Sequence, residues 1–491
     1  VIAPSFVIIP LIAALAITLI ARNKPRFAEL VTLATTACLI VLSLSTFLVL
    51  NRQGIMLYEF SGWQIPYTIS LVVDHFSVLL VSMVSLLVFA ATLFSHHYMR
   101  IYGGSWNYYS LILFLTTGMN GVAFSGDLFN VFVFTEISLF ASFALISFEG
   151  RAAQYEAGFK YAIMSFVTST FILFGIGSIY SMTSTLTLMH IAYISPEAMG
   201  INVVYALFIA GFGFKAALFP FHFWLPDVHS SAPSPVSAIF SGVLIKVLGA
   251  YALIRLFFSV FDSPRFPLEV LLVMGTASMI VGAVMAIPQN DIKRMLAYSS
   301  VSQMGYILLS CGLGTPLGIL GAVYHMLNHS LLKGIFFFNA GAVEKHEGTR
   351  NMDLMKGVRN PILYTTTLLG SMSISGIPPF GGFFSKLIIV MAAIRSGKFV
   401  YAFLAIAVSV ITLGYYLNMV SKVFRKDTEE EMKTMVLAQP AKLAILTVTI
   451  VSLAASLLFI PGIRELTLDK IVDSIIDREA YISLFSEGMA R

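Results

Sequence analysis

Long uninterrupted apolar runs restrict this chain more than any single residue does. Segments of about 20 apolar residues, the length that crosses a ~30 Å hydrocarbon core, recur from one end to the other. Of the 491 residues 58% are hydrophobic and 11% charged, too much apolar surface for a soluble fold to hide. In lipid, only helices and closed barrels satisfy their own backbone groups. A barrel needs short alternating strands, whereas these runs are continuous. The expected class is an all-α polytopic membrane protein with almost no soluble part.

Fourteen spans are expected, near residues 4–21, 28–50, 77–95, 108–126, 129–148, 160–186, 201–225, 236–260, 267–288, 298–314, 317–343, 361–394, 400–421 and 440–461. Residues 1–107 hold spans one to three and a short surface hairpin at Tyr58 to Ser70, where Gly62, Pro66 and Thr68 punctuate an alternating pattern. Residues 108–260 form a first repeat (spans four to eight), 267–421 a second (spans nine to thirteen), and 422–491 a loop, span fourteen and a tail. Pro4 to Ala21 lacks a basic leader and a clear cleavage site, so the first span is expected to stay.

Loop charges give the orientation. One side holds Arg22, Lys24, Arg26, Arg100, Arg151, Lys160, Lys293, Arg294, Lys345, Arg350, Lys356, Arg359, Lys422, Arg425, Lys426, Lys433 and Lys442. The other holds Arg52, Arg265, Arg395, Lys398 and four basic residues in the tail. The positive-inside rule makes the first set cytoplasmic, with both termini outside, in the inner (plasma) membrane of the cell. Because the basic residues lie in short loops, the net charge of +5 is no nucleic-acid signature.

Two segments interrupt the helical pattern alike. At Leu218-Phe219-Pro220-Phe221 and at Ile377-Pro378-Pro379-Phe380-Gly381-Gly382, proline removes a backbone donor inside a span. Lys215 precedes one break and Lys386 follows the other. They fall in spans seven and twelve, whose odd separation reverses the direction of traverse. They would be counterparts in two inverted five-helix repeats, and paired interrupted helices point to a transport site.

Within the spans lie Glu136, Lys215, Lys246, Lys333 and Lys386. A charge at mid-span costs roughly 2.5–3.5 kcal/mol on insertion scales, so each has either a static partner or a function. Glu136 is expected to act on Lys215: desolvation disfavours the charged lysine and a nearby anion favours it, so moving the carboxylate switches proton affinity. Lys246, in the middle of span eight, is read as facing inward. Arg255, nearer the end of the same span, is expected to snorkel.

Span eleven carries His325, His329 and Lys333 at i, i+4 and i+8, one stripe roughly 12 Å long. Imidazoles titrate near neutrality, which suits a proton wire. Satisfied core histidines or bis-histidine haem ligation are the alternatives. His222, Asp227 and His229 form either a proton intake point or a structural turn. Metal ligation by His325 and His329 lacks a third ligand nearby, and the glutamate–histidine pattern of zinc peptidases is absent. The two cysteines, Cys38 and Cys311, are too few for an iron–sulfur cluster. No cofactor is expected and no redox or hydrolytic chemistry is evident in this chain.

Trp224-Leu225-Pro226-Asp227-Val228-His229-Ser230-Ser231-Ala232-Pro233-Ser234-Pro235-Val236-Ser237-Ala238, Asp291-Ile292-Lys293-Arg294-Met295-Leu296-Ala297-Tyr298-Ser299-Ser300 and Ser302-Gln303-Met304-Gly305-Tyr306 resemble the antiporter-like subunits of complex I and its relatives. The run from Gly126 to Glu136 is more similar to the D-type subunit of Mrp cation/proton antiporters. The resemblance implies fourteen spans, inverted repeats, broken seventh and twelfth helices and proton translocation. It also implies that Glu136, Lys215, Lys246, His329 or Lys333, and Lys386 are the key groups. Asp227 and His229 resemble respiratory and membrane-bound hydrogenase versions of the motif.

The expected function is thus a proton-translocating subunit of a multisubunit Mrp-type or complex I-like complex, a membrane-bound hydrogenase being one such complex. Its expected partners are other membrane subunits, lipid and protons, with sodium left open. The rivals are an independent ion or solute transporter, a structural subunit with static ion pairs, and a redox enzyme carrying quinone or haem.

Overall fold

Polar residues at the ends of the apolar runs set where the helices begin. Asp74, Asp127 and Asp291 each cap a helix by accepting backbone N–H groups, from Ser77 at 2.8 Å, Asn130 at 2.9 Å, and Lys293 and Arg294 at 2.9 and 3.0 Å. Thr315 and Asn360 cap two more, each followed by proline at the first helical position. Inside the helices, hydroxyls such as those of Thr116, Thr117 and Thr135 donate to the carbonyl one turn back, which satisfies them without a partner helix.

The structure, a computed structural model, describes residues 2–21, 24–60, 63, 65–99, 105–196, 199–355, 357–425 and 433–490. Of the residues singled out above, Arg22, Gly62, Arg100, Lys356 and Lys426 lie outside the described ones. The chain opens with α1 (Ile2–Ile20) and α2 (Pro25–Gln53), then an antiparallel pair, β1 (Met56–Glu59) and β2 (Ser70–Val73), with Met56 opposite Val73. There follow α3 (His75–Tyr98), α4 (Ser105–Phe124), α5 (Leu128–Ile146), α6 (Ala152–Thr183) and the short α7 (Leu188–Ile194).

Next, α8 (Ile201–Lys215) stops and the chain resumes as α9 (Trp224–Ser231). A continuous helix then runs from α10 (Ser234–Ile239) through π-helical turns at Phe240–Leu244 and Lys246–Tyr251, α11 (Ala252–Ile254) and a last π-helical stretch at Arg255–Val260. After it come α12 (Arg265–Ala286), α13 (Ile292–Gly312), α14 (Pro316–Glu347), β3 (Val358–Arg359), α15 (Pro361–Ser375) and α16 (Gly381–Arg395). The chain closes with α17 (Phe399–Phe424), β4 (Lys433–Thr434, parallel to β3), α18 (Gln439–Ala455), α19 (Ile463–Leu466), α20 (Leu468–Ile476) and α21 (Arg478–Ala490).

Among the described residues nine helices are long and apolar enough to cross a membrane. The helix over residues 234–260 is wholly buried, and α13 and the middle of α14 are buried on all sides. They form a core wrapped by α1, α2, α17 and α18, whose apolar faces are exposed at Ile12, Leu44, Phe403 and Ile450. Helices shielded by other helices can carry polar residues that a lipid-facing helix cannot. Close backbone approach makes this packing possible: a Cβ on Gly249 would lie 2.4 Å from the Ala216 nitrogen, so glycine lets the π-helical span lean on the break after Lys215.

The pairs Asp227–Arg294, Glu344–Lys293, Asp291–Arg350 and Asp353–Lys422 gather the loops at one end of the helices, the basic face. At the opposite face α20 and α21 lie across the ends of other elements, with Lys470 donating to Asn51 and Arg478 to Ala192.

Candidate functional site

Each of the two interrupted helices places a buried lysine beside its break. At the first break, Lys215 is the last residue of α8 and is buried. Its Nζ donates to the Ser165 carbonyl and to Ser169 Oγ, both at 3.2 Å, and lies 5.4 Å from the Phe214 ring centre. Ser169 in turn donates to Glu136 Oε1 at 2.5 Å. Glu136 therefore meets Lys215 through one serine hydroxyl on α6 and not directly. Glu136 itself is only partly buried, on a side of α5 that exposes Phe129, Val133 and Phe140.

Lys246 sits in the π-helical part of the buried span and is 0% exposed. Its Nζ donates back to the Ser241 carbonyl. Ser241 Oγ is 2.6 Å from Ser300 Oγ on α13, which links the two core helices. One turn earlier on α13, the Leu296 carbonyl accepts from Lys333 Nζ at 2.8 Å. Lys333 also donates to Tyr416 OH at 3.3 Å, and Tyr416 meets Ser299 Oγ at 2.9 Å. Thus α13 presents Leu296, Ser299 and Ser300 between the two lysines.

The stripe expected on α14 is present and entirely buried. His325 and His329 stack with ring centres 6.3 Å apart at 12°. His325 hydrogen-bonds with Ser385 Oγ at 3.0 Å and Gln303 Oε1 at 3.1 Å, which ties α14 to α16 and α13. His329 is 0% exposed, and among the described residues no group pairs with either ring nitrogen. At the second break, Lys386 in the first turns of α16 has no hydrogen-bond partner for its Nζ among those residues, and the Nζ lies 4.4 Å from the centre of the Tyr306 ring. Tyr306 lies 5.6 Å from His325, so the ring joins the lysine to the stripe.

Among the described residues, no carboxylate oxygen comes within 4.0 Å of Lys215, Lys246, Lys333 or Lys386. A static ion pair is therefore not what holds these lysines. Hydroxyls, carbonyls and aromatic faces take that place, and all of them accept either protonation state more readily than a carboxylate does.

The three residues weighed as an intake point diverge. Asp227 pairs with Arg294 at 2.9 Å on the basic face, and its carbonyl accepts from Ser230 and Ser231. His222 is half-buried beside the Phe219 ring. His229 points inward: it is 0% exposed, lies 4.9 Å from the Phe337 ring, and pairs with none of the described residues at either nitrogen. Behind the basic face, Lys293 is buried and donates to the Ala232 carbonyl at 2.7 Å while pairing with Glu344 at 3.5 Å. Glu149 accepts from Gln154 at 2.9 Å, and burial pushes its carboxyl above the usual range, with Arg151 and Lys293 opposing the rise.

One expectation fails. Arg255 does not snorkel: its side chain is 6% exposed and pairs with Asp74, 0% exposed, at 2.6 Å. A buried carboxylate so far away along the chain outcompetes water as its partner. The residues that sequence reasoning missed are the connectors Ser169, Gln303, Ser385, Tyr306 and Tyr416. The polar run Ser299, Ser300 and Gln303 on α13 was visible, but nothing in it showed which charges it would serve.

Residues 125–412 match the family model described as the membrane part of NADH:quinone oxidoreductases and Mrp antiporters. The chain is 36% identical over 431 residues to the N-type subunit of the NADH-quinone oxidoreductase of Desulforudis audaxviator, covering 86% of each. It is 33% identical over 441 residues to the D-type subunit of the Na(+)/H(+) antiporter of Alkalihalophilus pseudofirmus, covering 88% of each. Its fold matches a chain of the Mrp complex from Dietzia sp. with a TM-score of 0.90 at 26% identity, covering 98% of both. It matches a chain of the membrane-bound sulfane sulfur reductase, an archaeal respiratory membrane complex, with a TM-score of 0.90 at 27% identity, covering 98% of this chain and 99% of that one.

Proposed function

Given that this chain belongs to the membrane-subunit family shared by NADH:quinone oxidoreductases and Mrp antiporters, we propose that it translocates protons as an antiporter-like subunit of a multisubunit complex. In this reading fourteen spans form two inverted repeats, and the basic face is cytoplasmic. Protons reach the core past the Glu149–Lys293–Glu344 cluster and His229. They pass laterally among Lys215, Lys246, Lys333 and the two histidines, and leave by way of Lys386.

One observation carries the reading: the protein buries four lysines and two histidines within its apolar helices without a single static carboxylate partner among the described residues. A structural role alone would favour apolar replacements, since unpaired buried charge is destabilising. Glu136 is the regulator. Through Ser169 it biases Lys215 toward the charged form when near and releases it when it moves, which couples the axis to whatever packs on the exposed side of α5. The relatives named for Mrp and for respiratory complexes support membership of a multisubunit complex, and in this reading a neighbouring subunit packs on that side and takes up the charge movement.

The test uses the complex purified with this chain and reconstituted into vesicles. Lys215→Ala and Glu136→Gln variants that assemble are expected to lose proton transport. Normal transport by both ends the proposal. Mass spectrometry of the purified complex separates the settings. Redox subunits mean a redox-driven pump, small membrane subunits alone mean a cation/proton antiporter, and a solitary transporting chain means an independent carrier.

A further inference from the structure

His325 is held at both ring nitrogens, and its two partners differ in what they can offer. Nε2 meets Gln303 Oε1 of α13 at 3.1 Å, and Nδ1 meets Ser385 Oγ of α16 at 3.0 Å. All three side chains are buried. A carbonyl oxygen has no hydrogen to give, so Nε2 must supply the one in its bond. A hydroxyl can give or accept. Ser385 Oγ also reaches the Gly382 carbonyl at 3.0 Å, so its hydrogen has a second place to go. Gln303 Nε2 pairs with none of the described residues, which leaves the imidazole as the one group among them that this amide binds.

We propose that Gln303 and Ser385 are positioning residues that make Nδ1 the nitrogen on which His325 gains and gives up its mobile proton. A neutral imidazole has one donor and one acceptor, and a charged one has two donors. With Gln303 as a fixed acceptor, the neutral ring keeps its hydrogen on Nε2 and takes the Ser385 hydrogen at Nδ1. When a proton arrives at Nδ1, the Ser385 hydroxyl turns to the Gly382 carbonyl and accepts from Nδ1 instead. One proton and one positive charge are added, and neither the bond at Nε2 nor the serine O–H is broken. Both ring nitrogens are paired in either state, so the charge changes without the cost of an unpaired buried group. Nδ1 is the nitrogen turned toward α16, the helix that carries Lys386, so exchange takes place on the side of the second break. His329, one turn on, has no partner at either nitrogen among the described residues and so nothing there that selects one. The part in transport rests on the proton-relay reading, while the placement of the hydrogen rests on the hydrogen bonds alone.

The test is NMR of the complete complex isotopically labelled at its histidine nitrogens, read alongside driven proton transport in vesicles. The His325 signals are those absent from the His325→Gln variant. At a pH where the ring is neutral, Nε2 is expected to carry the hydrogen and Nδ1 to be bare, and on acidification the added proton is expected at Nδ1. A neutral ring with its hydrogen on Nδ1 overturns the proposal. Gln303→Leu removes the fixed acceptor and is expected to let both neutral forms appear; a spectrum like the parent's overturns the part given to Gln303. Ser385→Ala is expected to lower driven transport about tenfold or more, since a hydrogen bond to a charged group is lost. Ser385→Thr, which puts the hydroxyl back, is expected to recover most of it. Unchanged transport in an assembled Ser385→Ala complex overturns the part given to Ser385. If that variant does not assemble, the parent's spectrum decides. Normal transport in His325→Gln removes this histidine from the relay and leaves the hydrogen placement to the spectrum. A reversed spectrum together with loss of transport in His325→Gln leaves the relay standing and the placement refuted.

Discussion

Ser169 is the smallest part of the site with the largest expected effect. It accepts from Lys215 and donates to Glu136, so among the described residues it is the group through which the two feel each other by contact. Ser169→Ala leaves helix α6 intact and removes that bridge. A hydrogen bond to a charged group contributes about 1.5–3 kcal/mol, so driven transport by the assembled complex is expected to fall by about tenfold or more, with Ser169→Thr restoring most of it. Unchanged transport in Ser169→Ala would mean that Glu136 acts on Lys215 through space. Glu149, in the connection before α6, gives a stability test. Burial raises its affinity for a proton in the folded state, so its contribution to stability is present at low pH and is lost as pH rises through its folded value. Glu149→Gln is therefore expected to melt progressively higher than the parent as pH goes from about 4 to about 7. Parallel melting curves across that range would contradict the assignment.

At the scale of elements, the broken helix α15–α16 depends on close backbone packing. Gly376 has φ +84°, and a Cβ on Gly382 would stand 1.9 Å from the Ser373 carbonyl oxygen. Gly382→Ala is expected to destabilise by about 1–3 kcal/mol, the range for overpacking, seen as a lower melting temperature. Gly414→Ala, whose added methyl meets nothing within 4 Å, is the control and is expected to be neutral or better. Equal behaviour of the two would show that the break can open. The sequence made the breaks legible because proline and glycine act locally, and the histidine stripe because i, i+4 and i+8 share one face of a single helix. The connectors were not legible: Ser169 lies 33 residues from Glu136, and Tyr416 lies 83 from Lys333. Arg255 was misread for the same reason, since its carboxylate partner Asp74 belongs to the start of α3. The π-helical turns around Lys246 carry no side-chain pattern at all. They lie where Gly249 lets the span come close to Ala216, just after Lys215.

Across the whole molecule, the question is whether Glu136 and Lys386 belong to one path or two. They lie beside the two broken helices, and the path proposed between them takes Ser169, Lys215, Lys246, Ser300, Lys333, His329, His325 and Tyr306, with α13 touching the elements that carry Lys246, Lys333 and His325. An axis in series and two half-channels in parallel predict different outcomes when its ends are cut. In series, Glu136→Gln and Lys386→Ala each remove most driven transport, and the double variant is scarcely worse than either, as for residues that act as a unit. In parallel, each single variant keeps about half of the transport and only the double variant abolishes it. The core favours the series outcome: on one helix the Leu296 carbonyl accepts from Lys333, and one turn on Ser300 meets Ser241, the residue whose carbonyl accepts from Lys246. Transport measured for the two single variants and the double in equally assembled complexes decides, and retention of about half by each single variant would break the axis in two.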